Sequence, residues 1–229
     1  MIFDHHSIRS SEIVSSTKVI ENRDEYIILN SINKKVLHIG CVGNRDFDNP
    51  LHLRISRVAS KCHGWDINLE GINIFKKMHP QLIISCVDVC GNIELIDEKY
   101  DLIIFGEVLE HLENPGAAIK NSINLLSPNG VVLVTVPNAF GIRNFFEHLF
   151  NNRELTRTDQ RAYYSYVTLN RLFGMNLMKN NSFHYYSNIN NLNFSSYFIK
   201  RLLLNNFFLK FRPGFAEGII GEFSITQNK

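Results

Sequence analysis

Glycines and carboxylates follow four apolar runs of this chain, each at the point where the run ends. These residues are Gly40 with Gly43, Asp66, Asp88, and Gly106 with Glu107. Glycine lets the backbone approach a ligand closely and adopt a positive φ at no steric cost. One carboxylate can accept hydrogen bonds from both hydroxyls of a ribose, and another can accept from an exocyclic amine. The pattern predicts a binding site for a ligand of adenosine size.

The elements that must position these residues are strands and helices in alternation. Apolar runs predict strands at residues 35–39, 62–67, 81–88, 100–105 and 131–136. Helical periodicity predicts helices at residues 51–60, 69–78 and 115–126, and the composition of 127–130 predicts a turn. This order indicates right-handed βαβ units and a mostly parallel sheet. Ligands bind outside the carboxyl ends of such strands, so we expect the four run ends to meet at one rim.

Weaker patterns flank these units. Residues 11–32, 140–149, 167–173 and 198–211 predict helices, and residues 182–186 and 218–226 alternate like strands. The expected fold class is α/β: a Rossmann-like, doubly wound, mostly parallel sheet of seven strands, the last antiparallel, with helices on both faces. We expect helix 140–149 to cover the sheet edge. Helix 198–211 is expected to pack in the core, with docking to a membrane surface or a partner as the alternative.

Composition limits the class of protein. With 229 residues, 45% hydrophobic and 20% charged, the chain can bury a core without disulfides or a structural metal, and wholesale disorder is excluded. Lys and Arg number 24 against 22 Asp and Glu, which argues against a dedicated nucleic-acid binder. No apolar run approaches the roughly 18 residues of a membrane span, and the N-terminus lacks a signal-type apolar segment. We expect a cytoplasmic protein with no transmembrane segment.

The cysteines do not indicate a metal site. Cys41, Cys62, Cys86 and Cys90 form no C-x-x-C pair, and no Cys/His cluster has zinc-ligand spacing. We expect reduced thiols and no bound metal.

Several segments together resemble the class I S-adenosylmethionine-dependent methyltransferases, in the small-molecule or glycan-type branch. The resemblance covers residues 35–138 and is carried by five motifs: V-L-H-I-G-C-V-G-N at 36–44, G-W-D-I-N at 64–68, C-V-D-V at 86–89, Y-D-L-I-I-F-G-E-V-L-E-H-L at 100–112 and L-L-S-P-N-G-V at 125–131. Each motif alone is common, but the ordered set is specific.

This resemblance implies a cofactor, S-adenosylmethionine, with S-adenosylhomocysteine as product, and assigns residues to it. The turn with Gly40, Cys41 and Gly43 would lie under the methionine and ribose. Asp66 would bind the ribose diol beside Ile67 at the adenine, and Asp88 with Val89 would hold the adenine edge. Gly106 and Glu107 would flank the methionine end and open onto the acceptor.

No linker is long enough to separate domains, so we expect one domain over 1–229, with a helical cap at 1–33, a cofactor-binding core at 34–138 and acceptor-side helices and C-terminal strands at 139–229. The chain departs from the family at His38, where an acid is usual, and at Val42 and Asn44, where glycines are usual. A dinucleotide is disfavoured as ligand because the glycine turn lacks the third glycine of G-x-G-x-x-G, and because Glu107, Glu110 and Glu113 would crowd a pyrophosphate.

Methyl transfer from a sulfonium is an in-line displacement that depends mainly on positioning, and a base helps when the acceptor is a neutral hydroxyl. His111, four residues after Glu107, is expected on the same helix face, so these two are the candidate catalytic residues; the alternative is a histidine that caps or packs the helix. Tyr163 and Tyr164 lie in a segment, 161–166, that resembles the acceptor-facing part of glycan-type enzymes; the alternative is core packing.

Four arginines, Arg143, Arg153, Arg157 and Arg161, could meet a phosphate or carboxylate of the acceptor, or could form a solvated helix face. The predicted function is O-methylation of a small polar, phosphorylated or nucleotide-linked metabolite such as a surface-glycan precursor. Alternatives are a nucleic-acid or protein methyltransferase and a non-catalytic cofactor-binding subunit. A nucleic-acid methyltransferase is disfavoured by the small net charge of the chain. It is also disfavoured because F-G-E-V stands after the fourth predicted strand, where N-P-P-Y is typical. No nucleic-acid partner is expected, and a homodimer is left open.

Overall fold

The computed structural model describes residues 19–43, 48–93, 97–154, 156–187, 209 and 211–226. The strands are β1 (Val19–Ile20), β2 (Lys35–Ile39), β3 (Lys61–Asp66), β4 (Ile83–Cys86), β5 (Tyr100–Gly106), β6 (Leu126–Pro137), β7 (Met178–Tyr186) and β8 (Gly218–Ile225). The α-helices are α1 (Arg23–Ser31), α2 (Leu51–Ser56), α3 (Leu69–Met78), α4 (Pro115–Leu125), α5 (Ile142–Asn151) and α6 (Tyr166–Gly174). Two 3₁₀ turns span Leu109–His111 and Pro213–Phe215.

The strands form one sheet in the order β1-β7-β8-β6-β5-β2-β3-β4. Neighbouring strands from β6 through β5, β2 and β3 to β4 run parallel, whereas β8 is antiparallel to both β6 and β7. The predicted fold class, with an antiparallel last strand, is confirmed. The described residues contain eight strands rather than seven, because Val19 and Ile20 pair with the end of β7.

Each face of the sheet has its own core. On β5, Ile103 and Phe105 pack with α4 and α6 on one face, while Leu102 and Ile104 pack with α1 and α2 on the other. All four side chains are fully buried. Because both faces of β5 are buried, its sequence is a continuous apolar run rather than an alternation of apolar and polar residues.

Asparagine caps set where the helices begin. The side chains of Asn22, Asn68 and Asn114 accept hydrogen bonds from backbone N–H groups three residues on, at the starts of α1, α3 and α4. Such caps satisfy donors that a helix leaves unpaired. The cap at Asn22 fixes the first residue of α1 as Arg23.

Several sequence predictions need correction. The helix predicted over residues 11–32 is α1 preceded by β1, and residues 11–18 lie outside the described residues. The turn predicted at 127–130 is part of β6: Leu126 pairs with Tyr100 and, after a register shift, Val131 pairs with Leu102, so the residues between them bulge within the strand.

The predictions of helices after residue 139 have different outcomes. Helix 140–149 forms as α5, but of its side chains only Ile142 is buried, so it leaves most of its surface exposed. The helix predicted over 198–211 lies outside the described residues except for Leu209 and Phe211. No helix in the described ranges combines the length and apolar character needed to cross a bilayer.

Candidate active site

A cavity of about 700 Å³ opens at the carboxyl ends of β2, β3, β4 and β5. Its lining includes every residue assigned to the cofactor from the sequence: Gly40, Cys41, Gly43, Asp66, Ile67, Asp88, Val89, Gly106 and Glu107. The volume lies within the range of small-molecule sites. The structure therefore brings together residues that are far apart along the chain.

Gly40 makes the turn after β2 at the base of the cavity. Its φ of 72° lies in the left-handed region, and a Cβ there would overlap the side chain of Val108. Its N–H donates to the carbonyl of Trp65 over 2.8 Å, which holds the turn against β3. Only glycine meets both requirements, so the backbone here lies open to the cavity.

Asp66 at the end of β3 fixes the same turn. Its Oδ2 accepts from the N–H of Val42 at 2.8 Å, and its Oδ1 accepts from the N–H of Asn68 at 2.9 Å. These two backbone donors hold the carboxylate in one orientation at the cavity wall. Ile67, which follows, is 71% exposed and offers an apolar surface beside it.

Asp88 and Val89 form the wall beyond β4. Asp88 Oδ1 accepts from the N–H of Cys90 at 2.8 Å, and its carbonyl accepts from Gly91 at 3.1 Å. The side chain of Asn121, on α4, donates to the carbonyls of Val89 and Gly91 at 2.8 and 2.9 Å. Sequence analysis missed Asn121, because nothing in its helix marks it as a loop anchor.

Glu107 stands in a strained conformation after β5. Its φ is 58°, unusual for a residue with a side chain, and its N–H donates to the carbonyl of Thr135 at 3.0 Å. Tyr186 donates a hydrogen bond to Glu107 Oε1 over 2.7 Å, and Arg23 Nη1 lies 3.8 Å from the same oxygen. Non-glycine residues in this region cluster at functional sites.

Arg23 is a cation that the sequence analysis did not place in the site. It is the first residue of α1, it lines the cavity, and it also pairs with Asp24 at 2.7 Å. Burial alone would lower the pKa of Arg23, but Tyr186, Glu107 and Asp24 together raise it above its ordinary value. The guanidinium therefore stays charged at the rim.

His38 supplies a neutral imidazole to the cavity wall. It is buried, and its Nδ1 lies 3.4 Å from Nδ1 of His52, which is also buried. Burial, with the nearby His52 and Arg23, lowers the pKa of His38 well below its ordinary value. At neutral pH this position therefore carries no charge, in contrast to the acid usual in the family.

His111 lines the cavity, but not from the helix predicted for it. Only Leu109–His111 forms a 3₁₀ turn, and Glu107 precedes it with a positive φ, so the two residues do not share a helix face. His111 Nδ1 lies 3.3 Å from Asp159 Oδ2, and Nε2 lies 3.9 Å from Glu110 Oε1.

Glu110 is buried and is not among the residues that line the cavity. Its side chain is buried, and burial together with the charge of Glu107 raises the pKa of its carboxyl well above the ordinary range. Its backbone carbonyl accepts from the N–H groups of Arg161 and Ala162 at 2.7 and 3.1 Å. Glu110 thus ties the segment after β5 to the segment before α6.

Three residues predicted to contact the acceptor, Tyr163, Tyr164 and Arg143, are not part of this cavity's lining. Tyr164 is buried, with its hydroxyl 3.4 Å from the carbonyl of Leu109, so core packing describes it better. Tyr163 and Arg143 also stand outside the lining. Three charged residues of the segment between α5 and α6 line the mouth instead: Arg157, Asp159 and Arg161. Arg157 and Arg161 were candidates from the sequence, and Asp159 was not.

Comparisons with known proteins agree with this geometry. Residues 17–176 match a family described as a methyltransferase domain. The ubiquinone biosynthesis O-methyltransferase of Bradyrhizobium diazoefficiens is 32% identical over 107 residues, which are 45% of this chain and 40% of that protein. The chain thus spans less than half the length of this curated relative.

Solved structures share the fold at low identity. Magnesium protoporphyrin IX methyltransferase from Synechocystis, with bound S-adenosylhomocysteine, has a TM-score of 0.58 at 14% identity, covering 89% of this chain and 82% of that one. The N-methyltransferase NodS from Bradyrhizobium japonicum, in complex with the same compound, has a TM-score of 0.56 at 14% identity, covering 89% and 84%.

Proposed function

Because the chain belongs to the family of class I S-adenosylmethionine-dependent methyltransferase domains, we propose that it transfers the methyl group of that cofactor to a hydroxyl of a small polar molecule. The family and cofactor predicted from the sequence are confirmed. The curated relative's name, an O-methyltransferase of a small molecule, supports a hydroxyl as the acceptor group.

The observation that carries the proposal is the convergence of four strand ends on one cavity. In this assignment Asp66 would accept from the ribose hydroxyls, Ile67 and Val89 would hold the adenine, and Asp88 would accept from its exocyclic amine. The Gly40 turn would hold the methionine part. Arg23 is the cation placed to meet the methionine carboxylate, since guanidinium groups pair strongly with carboxylates.

The reaction needs the acceptor oxygen in line with the methyl group and the sulfur. Gly106, Glu107 and His111 line the same cavity, and Gly106 and Glu107 are assigned to its methionine end. In the proposed mechanism His111 accepts the proton of a neutral acceptor hydroxyl while the oxygen attacks the methyl carbon. Glu107, held by Tyr186 and Arg23, shapes this end of the cavity.

The mouth of the cavity favours an acceptor with a negative group. Arg157 lines it with no carboxylate of the described residues within ion-pair distance, whereas Arg161, also in the lining, pairs with Glu113; both belong to the region 139–229 assigned to the acceptor. A phosphorylated or carboxylated acceptor fits these cations. A surface-glycan precursor has less support, because Tyr163 and Tyr164, in the segment that resembles glycan-type enzymes, stand outside the lining.

Turnover with a panel of acceptors tests this function. Purified protein with radiolabelled S-adenosylmethionine should release S-adenosylhomocysteine with small hydroxy compounds that carry a phosphate or carboxylate, and far less with their neutral analogues. Arg157→Gln should raise KM for the anionic acceptors with little change in kcat. Arg153→Gln is the control, because Arg153 is exposed and outside the lining. Methylation of amines alone would contradict the proposed O-methylation.

A further inference from the structure

His111 and Asp159 come from distant parts of the chain and face each other at the cavity mouth. The His111 Nδ1 atom is buried, and in the described residues it lacks a hydrogen bond of good geometry. Its nearest carboxylate oxygen is Asp159 Oδ2, at 3.3 Å. A small rotation of either side chain would complete an N–H to carboxylate hydrogen bond.

The backbone holds Asp159 near this position. Arg161 and Ala162, just after it, donate their N–H groups to the carbonyl of Glu110, the residue before His111. The N–H of Gln160 donates to the carbonyl of Arg157 at 3.0 Å, which closes a turn around Asp159. The pair therefore depends on an anchored loop, although the Asp159 side chain itself is 71% exposed.

Asp159 is closer to His111 than the other charged groups that surround it. Glu110 Oε1 lies farther away, 3.9 Å from Nε2, and burial keeps that carboxyl largely protonated. The remaining charged residues that share the lining with His111 are Arg23, Asp66, Asp88, Glu107, Glu113, Arg157 and Arg161. Among these, Arg161 is paired with Glu113 at 3.0 Å, and Arg23 with Asp24 and Glu107.

We infer that Asp159 is a positioning residue, which keeps the neutral His111 protonated on Nδ1 so that Nε2 presents its lone pair to the acceptor. This inference rests on the proposed function. As the acceptor oxygen bonds to the methyl carbon, the C–S bond breaks and its electron pair stays on sulfur. The hydroxyl proton passes to Nε2, and the imidazolium formed is stabilised by the Asp159 carboxylate.

The ring nitrogens of His111 report this arrangement directly. Protein labelled with ¹⁵N-histidine is titrated by NMR, and His111→Gln identifies the His111 signals. In the wild type the neutral ring should carry its proton on Nδ1. Asp159→Ala should move the proton to Nε2, because the carboxylate that accepts from Nδ1–H is lost. Asp159→Glu should restore the wild-type tautomer.

Matched controls keep the result interpretable. Glu154→Ala removes another exposed carboxylate of the same loop, outside the lining, and should leave the His111 spectrum unchanged. Circular dichroism checks that each variant folds. An Nε2–H tautomer in the wild type, or the same tautomer in wild type and Asp159→Ala, would overturn the inference. Failure of the proposed function would show separately, as absence of S-adenosylhomocysteine binding by the wild type.

Discussion

The hydroxyl of Tyr186 donates a hydrogen bond of 2.7 Å to Glu107 Oε1, which connects the end of β7 to the residue after β5. The ring of Tyr186 lies directly over Gly218, its partner in β8, where any Cβ would overlap it. Arg23 approaches the same carboxylate from α1. Two separate parts of the chain, β7 and α1, thus hold one strained residue at the cavity.

Tyr186→Phe should lower the free energy of unfolding by about 1–2 kcal/mol, because it removes a hydrogen bond to a carboxylate that stays partly buried. Urea denaturation measures this. Tyr185→Phe is the matched control: its hydroxyl makes no hydrogen bond to another described residue, and its loss should be within about 0.5 kcal/mol. Equal losses in the two variants would contradict the role given to Tyr186.

Arg23→Gln should weaken binding of S-adenosylhomocysteine about tenfold or more, because a charge-assisted pair with the amino-acid carboxylate is lost. Binding of 5′-methylthioadenosine, which lacks that carboxylate, should be nearly unchanged. Calorimetry with both ligands separates the two effects. A similar loss for both would mean that Arg23 supports the cavity without meeting the carboxylate.

Gly40→Ala should destabilise the fold by about 1–2 kcal/mol and abolish cofactor binding, because alanine is strained at this φ and its Cβ overlaps Val108. Gly174→Ala is the control. Gly174 ends α6 with open space where a Cβ would lie, so alanine there should be neutral or slightly stabilising. Thermal melts and calorimetry measure the two properties. Wild-type binding by Gly40→Ala would contradict the assigned turn.

The contribution of His52 to stability should fall as the pH drops below about 6.5. Burial and the nearby His63 lower the pKa of His52 from 6.5 to about 4 in the folded chain. Its contribution is therefore fully present above pH 6.5 and is lost as the pH falls towards 4, when the folded chain must accept a buried charge. Between pH 7 and pH 5 the loss from His52 alone is about 2 kcal/mol.

Urea denaturation at both pH values tests this dependence. His52→Gln should reduce the difference between pH 7 and pH 5, whatever its effect on absolute stability. His148→Gln, at an exposed histidine of α5, should leave the difference as in the wild type. An unchanged pH dependence in His52→Gln would show that other groups cause it.

The positions of the strand-end residues could be predicted because that prediction needs few assumptions. Apolar runs locate the parallel strands, and parallel geometry alone brings Asp66, Asp88 and Gly106 to one rim. Arg23 could not be placed in this way. Its position depends on where Asn22 caps α1 and on how α1 packs across the sheet, which periodicity does not encode.

The acceptor side was harder to predict for a physical reason. The described residues between Arg153 and Ala162 have no regular hydrogen-bond repeat, so no pattern shows which way Arg157 or Asp159 points. The two adjacent tyrosines could not be told apart for the same reason. Tyr164 packs in the core while Tyr163 is partly exposed, but both are the same residue type in the sequence.

The most direct test of the cofactor site is calorimetry of S-adenosylhomocysteine with the wild type, with Asp66→Ala and with Glu70→Ala, which removes an exposed carboxylate of neighbouring α3. The wild type and Glu70→Ala should bind at one site in the micromolar range, about −8 kcal/mol. Asp66→Ala should bind at least tenfold more weakly while remaining folded by circular dichroism. Equal affinity in all three proteins would contradict the assignment of this cavity to the cofactor.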